Sequence, residues 1–212
     1  MQMMKIVTMV VGPIETNCYI VYEEGNGKAL VIDPGDQGER IVQQLKERGL
    51  TPEAILITHG HGDHIGGIPA LKSAYPACPV LIHRLDAARM ADPEASMIQA
   101  MGGKAAPAAD RLLEDGDEIR LAGLVFTVLH TPGHTEGGVC FYHAANGVLF
   151  AGDTLFNGSV GRTDFPGGSF KDLEKAIREK LYVLPGETKV FCGHGPATTI
   201  AGEKSANPFV RG

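Results

Sequence analysis

Three imidazoles and a carboxylate fall within six residues, His59 to His64, in the run Thr58-His59-Gly60-His61-Gly62-Asp63-His64-Ile65-Gly66-Gly67, directly after the apolar segment AILIT. In a loop, the His-x-His alternation lets two rings converge, and the adjacent Asp63 and His64 can turn toward a neighbouring point. The interspersed glycines permit close backbone approach, so such a loop can wrap a small object. A lone histidine reads as a solvated or capping residue; a cluster this dense reads as a set of metal ligands. Imidazole and carboxylate together suit zinc, iron or manganese rather than magnesium or calcium.

Three distant segments repeat the arrangement of a strand-like run ending in a Gly-flanked donor. VLHTPGHT brings His134, VLFAGDT brings Asp153 and VFCGHGP brings His194. Donors at strand ends are held by a rigid sheet, which gives a site its precision. The seven candidates exceed one four-coordinate shell, so two divalent ions are the simplest arrangement. His83, His130 and His143 lie in or beside apolar runs and read as structural or surface residues.

The remaining pattern builds a frame around these loops. Strands are expected at 4–11, 17–22, 28–33, 54–58, 79–83, 117–121, 124–130, 138–143, 147–151 and 188–192. Helices are expected over 39–48, 65–75 and 169–182, the last opening with an S-x-x-D capping pattern. The segment NCYIVYEEGNGKALVIDPG is echoed by GGVCFYHAANGVLFAGDT: hairpin, polar turn, apolar strand, then Asp. This echo predicts two similar β-rich layers packed face to face with helices outside. Residues 92–109 are irregular and rich in small residues. They read either as a lid over the site, with Met97 and Met101 as soft apolar contacts, or as a solvated segment whose methionines pack on the core.

A chain of 212 residues fits one domain, 1–212, and buries roughly 70% of its unfolded surface without needing a disulfide or metal to fold. A net charge of −6 argues against nucleic-acid binding. Cys18, Cys78, Cys140 and Cys192 form no C-x-x-C pair and imply neither a disulfide framework nor a zinc ribbon. The first residues read as a strand rather than a signal peptide. No apolar stretch approaches the roughly 20 residues needed to span a bilayer. The expectation is a soluble, cytoplasmic protein without a membrane or nucleic-acid partner.

THGHGDHIGG, TPGHT, AGDTLF and CGHGP, in that order, resemble the metallo-β-lactamase superfamily, and within it the glyoxalase II-like hydrolases. The resemblance runs from about Val7 to His194. It implies an α/β fold, an αββα sandwich of two mixed sheets with helices on the outer faces and a dinuclear site at one edge. By the same resemblance one metal takes His59, His61 and His134, the other takes Asp63, His64 and His194, and Asp153 bridges them. Asp33, in VIDPGD, matches a family Asp that supports the ligand loop.

The activity so implied is metal-dependent hydrolysis of a thioester, S-lactoylglutathione or a similar glutathione thioester being the implied substrate. Two ions, most simply zinc, share a water, lower its pKa and polarise the carbonyl it attacks as hydroxide. Asp63 orients that water. The short tail ANPFVR resembles bacterial relatives that lack the helical domain with which longer family members grip glutathione. A second branch, the iron-dependent persulfide dioxygenases acting on glutathione persulfide, would use His59, His134 and Asp153 as a facial triad. The segment GRTDF looks like that branch too, with Arg162 placed for substrate carboxylates or, alternatively, for an ion pair with Asp164.

Overall fold

The computed structural model describes residues 3–212, so Met1 and Gln2 of the expected unit 1–212 lie outside the described residues. β1 (Met4–Val11), β2 (Thr16–Glu23) and β3 (Lys28–Ile32) form an antiparallel meander. A parallel neighbour needs a crossover, and helix α1 (Gly38–Glu47) supplies it before β4 (Thr51–Ile57) pairs parallel with β3. Two short helices, α2 (Gly62–Ile65) and α3 (Ile68–Ala74), lead to β5 (Val80–His83). Helix α4 (Ala87–Ala91) and the 92–109 segment lead to β6 (Arg111–Leu113). The six strands form one mixed sheet in the order β1-β2-β3-β4-β5-β6.

The second half builds another mixed sheet. β7 (Glu118–Leu121), β8 (Leu124–His130), β9 (Val139–His143) and β10 (Val148–Gly152) are successive antiparallel neighbours. A small hairpin, β11 (Leu155–Phe156) with β12 (Ser159–Val160), and helix α5 (Phe170–Ala176) precede β13 (Lys189–Cys192), which pairs parallel with β10. β14 (Thr198–Thr199) and helix α6 (Ile200–Ala206) complete the order β14-β13-β10-β9-β8-β7.

Strand alternation sorts the apolar residues into three layers. Leu30 and Ile32 of β3 face Phe126, Phe141 and Phe150 in the space between the sheets. Val31 of β3 points the other way, onto Ile41 and Leu45 of α1 and Leu71 of α3. On the far side Leu149 and Val190 pack under Leu173, Ile177 and Leu181. Two sheets back to back with helices outside make the αββα sandwich that the echo and the resemblance predict. The echo itself is structural: β2–β3 and β9–β10 are equivalent hairpins, and each second strand next pairs parallel across a helical crossover.

Some local expectations change. The helix expected over 65–75 is two pieces because Gly66 and Gly67 interrupt it and Pro69 restarts it. In 169–182, Ser169 Oγ accepts the Asp172 N–H at 3.3 Å, as the capping pattern predicts. Its last turn widens, with Tyr182 N–H reaching Ile177 O at 2.8 Å. Among the described residues no helix is long and apolar enough to cross a membrane.

Candidate metal centre

The parallel pairs β3–β4 and β10–β13 all end at one edge of the sandwich, so the loops after β4, β10 and β13 meet there. The loop after β8 joins them. All seven sequence-predicted donors converge at this edge. Among the described residues three compact donor sets emerge: His59, His61 and His134; His59, His64 and Asp153; and Asp63, His64 and His194. Within each set the donor atoms lie within 4.8 Å of one another. Asp153 faces both outer sets, with Oδ1 3.4 Å from His64 Nε2 and Oδ2 3.6 Å from both His134 Nε2 and His194 Nε2.

What holds the rings is as informative as the rings. His64 Nδ1 donates to Asp33 Oδ2 at 3.0 Å, His134 Nδ1 to Arg162 O at 2.7 Å and His194 Nδ1 to Ile14 O at 3.1 Å. Thr58 Oγ1 donates to Asp33 Oδ2 at 2.6 Å and therefore accepts from His59 Nδ1 at 3.2 Å. Each of these four rings thus has its Nδ1 proton fixed outward, leaving Nε2 as the inward donor. His61 is turned the other way, with Nδ1 2.9 Å from His134 Nε2. Asp33, expected to support the ligand loop, does so through Thr58 N–H, Thr58 Oγ1 and His64. Two supports escaped the sequence reading: Thr58, and Thr16, whose hydroxyl donates to Asp63 Oδ2 at 3.0 Å. Thr58 was legible as the residue joining a buried strand to the donors; nothing local marks Thr16.

The donor set fits divalent metal. His59 Nε2, His64 Nε2 and Asp153 Oδ1 are buried without a hydrogen-bond partner, an expensive state that a coordinated ion relieves. The electrostatics point the same way. Burial, reinforced by His64, pushes His59 well below the ordinary histidine range, and burial with His134 brings His61 down to about 3. Burial opposes charge on His64 as well, yet Asp63, Asp153 and Asp33 together push it well above its usual value. His194 is raised against burial by Asp63 and Asp153. Burial would raise Asp63 and Asp153, but the neighbouring imidazoles, His64 foremost, hold both carboxyls below the usual range. The edge carries buried negative charge that cations would balance.

A cavity of about 600 Å³ opens over the donors, walled by Ile14, Met97, Met101, Phe156, Phe165 and Arg162. Within the 92–109 segment, residues 96–98 are seated against the donor loop. Ser96 O accepts the Gly62 N–H at 2.7 Å, and Ile98 is buried, while Met97 and Met101 face the cavity. Arg162 reaches the cavity wall, but its guanidinium forms a bidentate pair with Asp164, both bonds 2.7 Å, and lies over the Phe165 ring. His83 and His130 stack on each other at 4.1 Å, and His143 bonds Val125 O, so these three stand outside the donor sets. All four cysteines are free and buried.

The metallo-beta-lactamase superfamily model matches residues 11–194. Among curated proteins, a probable metallo-hydrolase of Bacillus subtilis is 39% identical over 212 residues, 99% of each chain. The hydroxyacylglutathione hydrolase GloC of Haemophilus influenzae is 35% identical over 209 residues, 98% of each chain. Among solved structures, the BLEG-1 B3 metallo-beta-lactamase superposes with a TM-score of 0.91 at 39% identity, covering 99% of this chain and 100% of that one. A di-iron-bound form of TTHA1623 gives 0.86 at 40% identity, with coverage of 96% and 100%. ETHE1 from Myxococcus xanthus gives 0.80 at 31% identity, with coverage of 96% and 83%.

Proposed function

The chain belongs to the metallo-beta-lactamase superfamily, and from that premise we propose that it is a two-metal thioester hydrolase acting on a glutathione thioester in the cytoplasm. His59, His61 and His134 hold one divalent ion, Asp63, His64 and His194 the other, and Asp153 lies between them. The observation that carries this reading is the position of Asp153, whose two oxygens face both outer donor sets. Zinc is the first choice of ion; the same donors accept iron or manganese. When bound, two such ions make water acidic enough to act as a nucleophile near neutral pH and polarise a carbonyl oxygen.

The chain's own residues supply the rest. Asp63 is kept ionised by His64 and His194, and Thr16 fixes its Oδ2, so it is oriented to accept a proton from the attacking water. Neither Asp63 nor Asp153 is held as a neutral acid, since both are shifted down. A site without a carboxylic acid to donate a proton suits a leaving group that departs as an anion. A thiol, with a pKa of about 8.5, leaves that way far more readily than an amine. The GloC relative supports the hydroxyacylglutathione assignment. The four free cysteines accord with a reducing compartment.

The likeness to ETHE1 supports a second reading, an iron-dependent persulfide dioxygenase using His59, His134 and Asp153. One pair of assays separates the two. Thiol release from S-lactoylglutathione by protein holding two metals per chain supports the hydrolase. Oxygen uptake with glutathione persulfide by protein holding one iron, without thiol release, overturns it in favour of the dioxygenase.

A further inference from the structure

Helix α4 starts at a residue that does not cap it. An aspartate in the boundary position before a helix normally accepts the first free N–H groups of that helix, but Asp86 makes no such bond to α4. Its carboxylate, with no solvent exposure, is divided between two distant loops. Oδ2 accepts the Gly60 N–H at 2.8 Å, and Oδ1 accepts the Gly137 N–H at 2.8 Å. Gly60 stands between His59 and His61, and Gly137 follows His134 in the loop before β9. These two loops supply the whole of the His59, His61 and His134 donor set; Asp63 and His64 follow on the first turn of α2, beyond the gripped Gly60, and His194 comes from the loop after β13.

The contact is built for a carboxylate. A Cβ on Gly137 would come within 2.5 Å of Asp86 N and one on Gly60 within 3.0 Å of Asp86 O, so both loops approach only as bare backbone. Two opposed N–H donors need an acceptor on each side, which a carboxylate provides and an amide does not. A fully buried charge is tolerated where charge-assisted bonds satisfy it. One turn on, Arg89 Nε lies 3.9 Å from Asp86 Oδ1, while its terminal nitrogens bond Ala95 O at 3.4 Å and Pro166 O at 3.1 Å. Arg89 thereby ties the same anchor to the 92–109 segment and to the loop between β12 and α5.

We propose that Asp86 is a positioning residue that clamps the His59–His61 loop to the His134 loop and so sets the metal affinity of that donor set alone. The inference rests on the two-metal reading above. Asp86 touches neither substrate nor ion; it acts through the backbone on either side of the ligands.

The test is a cobalt(II) titration of metal-free protein, followed by visible absorption, for the wild type and Asp86→Asn. Asn keeps the side chain's shape but faces one of the two N–H groups with its own donor. Losing an outer partner of this kind is expected to weaken one of the two cobalt equivalents about 10–100-fold and leave the other within about twofold. Two unchanged equivalents overturn the proposal. So does equal weakening of both, or loss of the far-UV circular dichroism of the metal-free variant, because Asp86 would then be a general structural support. A wild type that binds fewer than two cobalt ions refutes the two-metal reading itself, and that result is visible before any variant is measured.

Discussion

Replacing Thr58 by Val tests how the ligand rings are held, because the side chain keeps its shape and loses one oxygen. That hydroxyl donates to Asp33 Oδ2 at 2.6 Å and accepts from His59 Nδ1 at 3.2 Å. Asp33 Oδ2 still accepts from His64, and Oδ1 still accepts from the Thr58 backbone, so the carboxylate is not orphaned. The His59 Nδ1–H is orphaned, in a residue only 2% exposed. A lost bond to a charged group and an unsatisfied buried donor together cost about 2–4 kcal/mol. At roughly 2–4 °C per kcal/mol for a chain of this length, the metal-free protein should melt about 5–15 °C lower. Freed from its acceptor, His59 also loses its fixed tautomer, so metal affinity should fall about 10–100-fold. Thermal unfolding by circular dichroism and metal titration by calorimetry read the two effects. Thr58→Ser, which keeps the hydroxyl, should retain wild-type affinity. If Val binds metal as tightly as Thr, or Ser weakens binding as much as Val, the hydroxyl relay from Asp33 to His59 plays no part.

Asp153→Ala should lower both metal content and turnover, while Asp164→Ala, which frees Arg162 from its pair, should leave metal content intact by elemental analysis. Asp63→Asn should reduce kcat much more than it changes KM, because orienting and deprotonating water matter in the transition state; a raised KM with unchanged kcat contradicts that role. His64 and His194 are raised and hold their protons to higher pH than a free imidazole, whereas His59 and His61 are lowered and lose theirs more readily. Metal entering the Asp63, His64 and His194 set must therefore displace protons, and its affinity should rise with pH, while the His59-containing outer set should respond far less; calorimetry in buffers of different ionisation enthalpy measures the proton release. Met101→Ala should raise KM for bulky thioesters more than for small ones, since Met101 lines the cavity above the donors.

The donor set was legible because its chemistry is local. Four of its seven members lie within six residues of one another, and the other three follow closely on apolar runs that read as strands. The sandwich was legible for a related reason: NCYIVY…ALVID and GGVCFY…LFAGD carry the same period-two alternation, and the structure turns both into the hairpin that places Asp33 or Asp153 at its end. Short elements were not legible. β6, β11 and β12 have two or three residues each, too few for any periodicity to show. Residues 92–96 looked irregular because their order comes from Asp92, whose side chain accepts the Glu94 and Ala95 N–H groups, rather than from an apolar pattern. Asp86 was invisible for the opposite reason. Nothing in HRLDAARMA marks it, and its partners lie 26 and 51 residues away. Arg162 and Asp164 were two residues apart in the sequence, and the ion pair weighed against a substrate role is the one that forms.

Electron paramagnetic resonance of the manganese(II)-loaded protein tests the central claim most directly, because spin coupling reports whether two ions share a bridge. Two manganese ions per chain with an exchange-coupled spectrum, replaced by the six-line signal of isolated ions in Asp153→Ala, is the predicted result. A single uncoupled ion per chain, or coupling that survives the loss of Asp153, would contradict it.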